Sequence, residues 1–295
     1  DSPVLEFLQQ RNVLYRGRVT VTNGRFNFEF IIPRDIDFSF GPGKASLYAF
    51  NQQNESGGGY SRDFIIGGID TTGLDDNVGP EITLFLNDDS FVNGGITNET
   101  PILIAQLFDE SGINTVGTGI GHDITAILND ETANAKVLNQ FYEADLDTYQ
   151  SGVVRYQMQP LEPGLHTLTF KAWDVNNNSS EAKIEFNVQA SENVALRHVL
   201  NYPNPFTTYT EFLFEHNQVC ASLDVKIEIF TVTGRLIRTI IQDVKTQGFR
   251  VEGIPWDGRD EFGDQLAKGV YVYRLTVRNP DGESAQEMQK LYLLK

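Results

Sequence analysis

His216 and Cys220 stand four residues apart in HNQVC, and a thiolate beside an imidazole is the least that cysteine catalysis needs. Spacing alone does not join them, because four residues along a strand or hairpin do not guarantee contact. HNQVCASLDV also carries no glycine-framed nucleophile signature. The plainer reading of Cys220 is a small, half-buried apolar residue, so no catalytic residue is assigned. A second chemistry is offered by acidic loops: NDDS (Asn87–Ser90), FDESG with Asp109 and Glu110, NDET with Asp130 and Glu131, and DVNNNSSE from Asp174 to Glu181. Calcium takes roughly six to eight oxygen ligands, and carboxylates converging at one pole of a sandwich would supply them. Asp109 and Asp174 are the expected participants. None of the four loops follows the spaced Asp-x-Asp-x-Asp-Gly pattern. The competing reading is that Asn and Asp are turn residues bonding their own backbone. WDGRDEFG (256–263) resembles an acid cluster, yet Asp-Gly and Phe-Gly read first as turns. Gly258, Gly263 and Gly269 precede no lysine and helix start, so they cradle no phosphate.

The elements that would position these residues are strands. Gly 26, Phe 20 and Tyr 11, with Asn and Asp between apolar alternations, suit short strands and tight turns. At 295 residues the chain exceeds one usual core, which favours two or three domains. A single cysteine excludes an intramolecular disulfide framework and a multi-thiolate zinc site. No apolar run approaches the ~20 residues needed to span a bilayer. The sequence opens with neither an initiator Met nor a charged-then-apolar leader, so it reads as a mature fragment whose targeting signal lies outside it. The net charge of −17 argues against binding a nucleic-acid backbone. Residues 1–78 hold 7 basic and 10 acidic side chains, 79–190 hold 4 and 16, and 191–295 hold 12 and 14, so the middle segment carries −12 of the total.

Period-two spacing on either side of TNG, in VLYRGRVTVTNGRFNFEFIIP, predicts a β-hairpin with a type I′ turn at Asn23-Gly24. Strands follow at KASLYAFN and YSRDFIIGG, separated by the Gly-rich ESGGG. Four strands are few for a closed sandwich, and the missing ones are expected upstream of Asp1. GIDTTGLDDNVGP reads as a linker. EITLFLND, PILIAQLFD, HDITAILND, GVVRYQMQPL, GLHTLTFKAWD and AKIEFNVQ then give the turn spacing of an immunoglobulin-like sandwich, with Trp173 expected in its core. NYPNPF (201–206) cannot be helical, because each proline holds the residue before it extended. It reads as a module entrance with Tyr202 and Phe206 as anchors. Beyond it, Val225, Ile227, Ile229 and Thr231 alternate with polar neighbours, VTGR turns the chain, and no amphipathic helix appears. The fold class is therefore all-β, with tandem immunoglobulin-like β-sandwich modules: an incomplete one over 1–78, an acidic one over 79–190 and a third over 191–295.

NYPNPF, VKIEIFTVTGRLIRT, WDGRDEFGDQLAKGVYVYRL and the closing KLYLLK, in that order, resemble the C-terminal sorting domain of the type IX secretion system of Bacteroidetes. That domain is itself similar to an immunoglobulin-like domain of the flagellar hook-capping protein. With NVLYRGRVTVTNGRFNFEFIIPRDI, GINTVGTGIGHDITAILND and LEPGLHTLTFKAWDVNNNSS, the likeness extends to the C-terminal region of the PorU-type sortases. These are cell-surface cysteine peptidases of the gingipain type. The resemblance implies a parent enzyme that removes the sorting domains of cargo proteins and helps attach that cargo to lipopolysaccharide. It also implies a retained sorting domain docked on an outer-membrane β-barrel shuttle protein. The catalytic His and Cys motifs of that family have no match in these 295 residues. Leu291, Tyr292, Leu293, Leu294 and Lys295 are the expected partner contacts, by shape or by strand addition. They also read as the last strand of the module's own sheet. Two other classes stay open: the tail of a secreted hydrolase or adhesin whose sorting domain is cleaved after export, and a carbohydrate-binding module carrying exposed aromatics.

Overall fold

The computed structural model describes residues 13–294 except 35, 37, 52–54, 69–75, 117–120, 191–193, 219–221 and 247. As the period-two pattern predicts, the protein is all-β, with no α-helix among the described residues. No helix is long and apolar enough to cross a membrane among those residues.

The first region has four short strands, β1 (Gly41–Pro42), β2 (Ala45–Phe50), β3 (Ser56–Ser61) and β4 (Ile65–Ile66), paired β1 with β4 and β2 with β3. The Gly-rich stretch is itself a strand, not a separator: Gly57, Gly58 and Gly59 pair with Ala49, Tyr48 and Leu47. The expected hairpin is realised only at its turn. Asn23 and Gly24 have φ of 52° and 75°, and Thr22 bridges Arg25, but no ladder follows. A competing edge explains this. The Arg16 and Arg18 carbonyls accept from the N–H groups of Ala144 (3.4 Å) and Asp147 (3.0 Å), and Arg18 pairs with Glu143 at 2.6 Å. The Thr20 N–H and hydroxyl both donate to the Asp147 carboxylate, at 2.7 and 2.6 Å. This arm therefore lies along the neighbouring module. Tyr15 packs on that module's core and starts a stack of rings with Phe30 (5.0 Å), then Phe28 (6.2 Å), then Phe26 (6.3 Å). Phe40, Tyr48 and Phe50 are exposed, and no core cluster belongs to this region among the described residues.

The middle region has β5 (Glu81–Leu86), β6 (Ile96–Thr97), β7 (Ile102–Phe108), β8 (Thr125–Leu128), β9 (Lys136–Val137), β10 (Tyr142–Ala144), β11 (Ser151–Gln157), β12 (Gly164–Trp173) and β13 (Ser179–Val188). They form two sheets, β10-β11-β7-β5 and β6-β13-β12-β8-β9. Alternate residues Leu103, Ala105 and Leu107 of β7 face Leu168, Phe170 and Ala172 of β12 and Ile184, Phe186 and Val188 of β13. Burying each Leu, Ile or Phe stabilises by roughly 1.5–3 kcal/mol. The same parity removes Trp173 from the core. Phe170 and Ala172 point inward, so Trp173 points out at the pole, half-buried, against His122 (4.3 Å) and beneath the Lys171 ammonium (4.9 Å).

The last region has β14 (Leu196–Tyr202), β15 (Thr210–His216), β16 (Ser222–Thr231), β17 (Leu236–Lys245), β18 (Arg250–Trp256), β19 (Gly269–Arg278) and β20 (Ser284–Leu293). Its sheets, β14-β15-β18 and β17-β16-β19-β20, enclose a second core of Phe212, Phe214, Leu223, Val225, Ile227, Ile229, Trp256, Tyr273, Leu275 and their neighbours. Phe206 is an anchor, 2% exposed with its ring 5.6 Å from that of Trp256, but Tyr202 is 73% exposed and anchors nothing. Parity again decides, because Asn201 of β14 points inward and Tyr202 outward. Asn204 does what Tyr202 does not. Its Oδ1 accepts the Tyr292 N–H at 2.9 Å and its Nδ2 donates to the Lys290 carbonyl at 3.1 Å. Phe206 N–H donates to Tyr292 O (3.0 Å), and Leu294 N–H donates to Phe206 O (2.9 Å). NYPNPF thus closes the outer edge of β20 over its last turns of pleat. At the opposite edge the WDGRDEFG loop crosses β17. Glu261 donates its N–H to Ile237 O (3.1 Å), and its carboxylate accepts the Thr239 N–H (3.2 Å).

Candidate functional site

The acidic pole of the middle module gathers three carboxylates, from Asp76, Asp109 and Asp174, each with one oxygen within 4.8 Å of the others'. It is the one such group of three found among the described residues. Asp109 directly follows β7 and Asp174 directly follows β12, so the strand ends bring two distant loops together. Asp76 arrives from the segment that precedes β5. Asp109 is 6% exposed and Asp174 is fully buried. Asp109 Oδ1 accepts the N–H groups of Ser111 (2.8 Å) and Gly112 (3.1 Å). Asp174 Oδ1 accepts those of Asn176 (2.9 Å) and Asn178 (2.7 Å), while its Oδ2 accepts from Asn178 Nδ2 at 2.7 Å. Asp76 Oδ2 accepts from the Ser111 hydroxyl at 2.7 Å and from Asn176 Nδ2 at 3.4 Å. Asp109 and Asp174 are thus turn residues that cap their own backbone, and their carboxylates also converge with that of Asp76.

Electrostatics separates the three. Desolvation raises Asp109 to about 6, two backbone N–H bonds partly offset this, and the charges of Asp174 and Asp76 add to the rise. Asp174 is also raised, first by burial. Asp76 is lowered, chiefly by the Ser111 hydroxyl. Crowded carboxylates without a paired cation repel, and a hard divalent ion or a proton relieves them. Asp109 and Asp174, expected from sequence, come together here. Asp76 was missed because it sits in a stretch of linker composition. The other acidic loops go elsewhere: Asp130 pairs with Lys183 (3.2 Å), Glu181 with Lys171 (3.0 Å), and Asp88 packs against Gly248 of the last module.

The terminal strand divides by parity. Leu291 and Leu293 are 0% and 3% exposed and belong to the last core, whereas Tyr292 and Leu294 are 42% and 60% exposed and face outward. Lys295 lies outside the described residues, as does Cys220. His216 is fully buried between Phe214 and Phe249, and burial lowers it to about 4, so it is neutral near pH 7 and out of a substrate's reach. In WDGRDEFG the Trp256 indole is buried and donates Nε1–H to Arg259 O (3.0 Å), and Asp257 Oδ1 accepts the Arg259 N–H (3.1 Å). This is local turn bonding around a packed ring.

No protein-family model matches the chain, and no curated protein matches it. Among solved structures it is similar to dimeric latent PorU from Porphyromonas gingivalis, with 30% identity over 91% of this chain and a TM-score of 0.39. It is also similar to the SGBP-B protein of the Bacteroides ovatus mixed-linkage glucan utilization locus (11% identity, 86% of this chain and 53% of that one, TM-score 0.33). A third is a tetra-tandem repeat from the extending region of a large adhesion protein (12% identity, 85% and 57%, TM-score 0.25). The chain spans 25% of the length of the PorU structure.

Proposed function

We propose that this chain is a non-catalytic C-terminal region of a PorU-like type IX secretion sortase, whose last module docks the parent cysteine peptidase on an outer-membrane β-barrel shuttle at the cell surface. The middle module spaces the active site from that surface, where cargo sorting domains are cleaved. One observation carries the reading. The four stretches that resemble a sorting domain form adjoining parts of one core: NYPNPF seals β20, VKIEIFTVTGRLIRT builds β16 and β17, WDGRDEFG crosses the β17 edge, and KLYLLK completes β20.

The burial pattern decides how the proposal is tested. Deleting KLYLLK would remove Leu291 and Leu293 from the core and unfold the module, so outward side chains are the better probe. The full chain should bind the purified, detergent-solubilised type IX barrel in a surface-capture assay. Tyr292→Ser with Leu294→Ser should weaken binding at least about tenfold, the scale of losing one buried contact of ~1.4 kcal/mol. No binding by the unaltered chain would end the proposal. The cargo alternative is separated by the intact mass of the mature native protein: a retained last module is expected of a sortase, and its loss is expected of cargo.

A further inference from the structure

Four consecutive polar side chains, Glu215 and His216 at the end of β15 and Asn217 and Gln218 just beyond it, are each at most 8% exposed. Burying such a run is costly unless its groups are bonded, so their partners are informative. Glu215 reaches across to the middle module. Its Oε2 accepts the Ile96 N–H of β6 at 3.3 Å and pairs with His198 Nδ1 of β14 at 3.0 Å. Asn217 holds both sides of the connection between modules, since its Oδ1 accepts the Ala195 N–H (2.9 Å) and its Nδ2 donates to the Ala190 carbonyl (2.7 Å). Gln218 binds Asn217 Oδ1 (3.0 Å) and receives Asn279 Nδ2 (3.0 Å), which ties this cluster to the loop after β19.

The surfaces around the cluster fit closely. Arg197 donates to the Gly94 carbonyl at 3.2 Å. A Cβ added to Gly95 would meet Val92 O at 2.8 Å and Glu215 Oε2 at 3.2 Å, and one added to Gly248 would fall 1.2 Å from Asp88 Oδ2. Leu86, Phe91 and Ile96 of the middle module and Glu215, Phe249 and Arg250 of the last one line a narrow, partly open gap with about 10 Å³ of water-sized room between the modules.

We infer that the middle and last modules turn as one rigid body, locked by the buried run Glu215–Gln218. Independent motion is the default for modules joined in one chain, and here it would break the Glu215 bond to Ile96 and unpin the connection at Asn217. The inference rests on this joint and not on the sortase reading, so the two can fail separately.

The test is ¹⁵N relaxation of the full deuterated chain. Residues of β5–β13 and of β14–β20 should report one rotational correlation time. Two ~100-residue modules moving independently would each report a time about twofold shorter. The double variant Glu215→Ala, Asn217→Ala should release the joint and shorten both times, with each module's amide spectrum retained. Separate, shorter times in the unaltered chain would overturn the inference, as would a folded double variant that keeps the single long time. If the double variant unfolds, the unaltered chain decides alone, and Arg197→Ala, which removes one exposed bond to the Gly94 carbonyl at the rim of the joint, should leave its single time unchanged.

Discussion

Replacing Leu293 by Ala should destabilise the last module heavily, while replacing its neighbour Tyr292 should hardly matter. Leu293 is 3% exposed and bridges to Phe206, and its Cδ1 would lie 3.6 Å from a Cβ on Gly258. Truncation removes three carbons from this packed site, about 2.4 kcal/mol of transfer free energy at ~0.8 kcal/mol per methylene, and a cavity term brings the loss to about 3–4 kcal/mol. For a domain of ~100 residues that lowers Tm by roughly 15–25 °C. Tyr292 keeps its backbone bonds to Asn204 and Phe206 when its side chain is cut, so Tyr292→Ala should cost within about 1 kcal/mol. Urea unfolding of the full chain followed by Trp256 fluorescence, in a Trp173→Phe background, isolates this module. If Tyr292→Ala shifts the transition by several kcal/mol and Leu293→Ala does not, the assignment of inward and outward faces on β20 is wrong.

Further outcomes are expected of pH, calcium and one glycine. His216, lowered to about 4 from its ordinary 6.5, stays neutral when folded while the unfolded chain takes up a proton. The last module should therefore lose stability as pH falls from about 6.5 to 4, by about 3 kcal/mol in all, and His216→Phe should flatten that slope in denaturant titrations. Asp109 has the opposite sign. Raised to about 6, it holds its proton in the folded state, so the middle module in chelator should lose stability as pH rises from about 4 to 6. The shift sets a ceiling of ~3 kcal/mol, which screening by nearby solvent reduces to roughly 1–2 kcal/mol, and Asp109→Asn should reduce the slope to what Asp174, also raised by burial, still contributes. As a proposal about the same pole, millimolar calcium at pH 7.5 should raise the middle module's unfolding midpoint, with the gain lost in Asp174→Asn; no rise would remove calcium from the reading. Gly258 has φ of +72°, and Phe206 Cε2 lies 3.3 Å from where a Cβ would sit, so Gly258→Ala should cost about 1–2 kcal/mol by thermal melting.

The strands were legible because period two survives wherever one sheet face is buried, as in Val225, Ile227 and Ile229, or in Leu168, Phe170 and Ala172. What stayed hidden was long-range competition and parity. TNG correctly marks a turn, but no local pattern tells that Arg16 and Arg18 bond a different module. SGGGYS lacks β-branched character and still pairs with ASLYAF through its backbone, which side-chain type does not announce. Counting from Phe170 would have placed Trp173 outward, and counting from Asn201 would have placed Tyr202 outward. Of the acidic pole, Asp109 and Asp174 were visible as strand-end residues, whereas Asp76 lay in a run of linker composition. The buried EHNQ run had only one sequence signal: four polar residues continuing a strand whose inward positions are aromatic.

Glu261 on β17 and Asn204 on β20 have a consequence at high protein concentration. Where a crossing segment already takes a rim's amides and carbonyls, as at Ile237 and Thr239 of β17 and at Lys290 and Tyr292 of β20, another copy cannot pair there, and such interruptions hinder growth into stacked cross-β fibrils. Substituting Glu261 and Asn204 together would release only the Thr239 and Tyr292 amides that their side chains now hold, while the backbone bonds of Glu261, Phe206 and Leu294 keep the crossing segments seated on both rims.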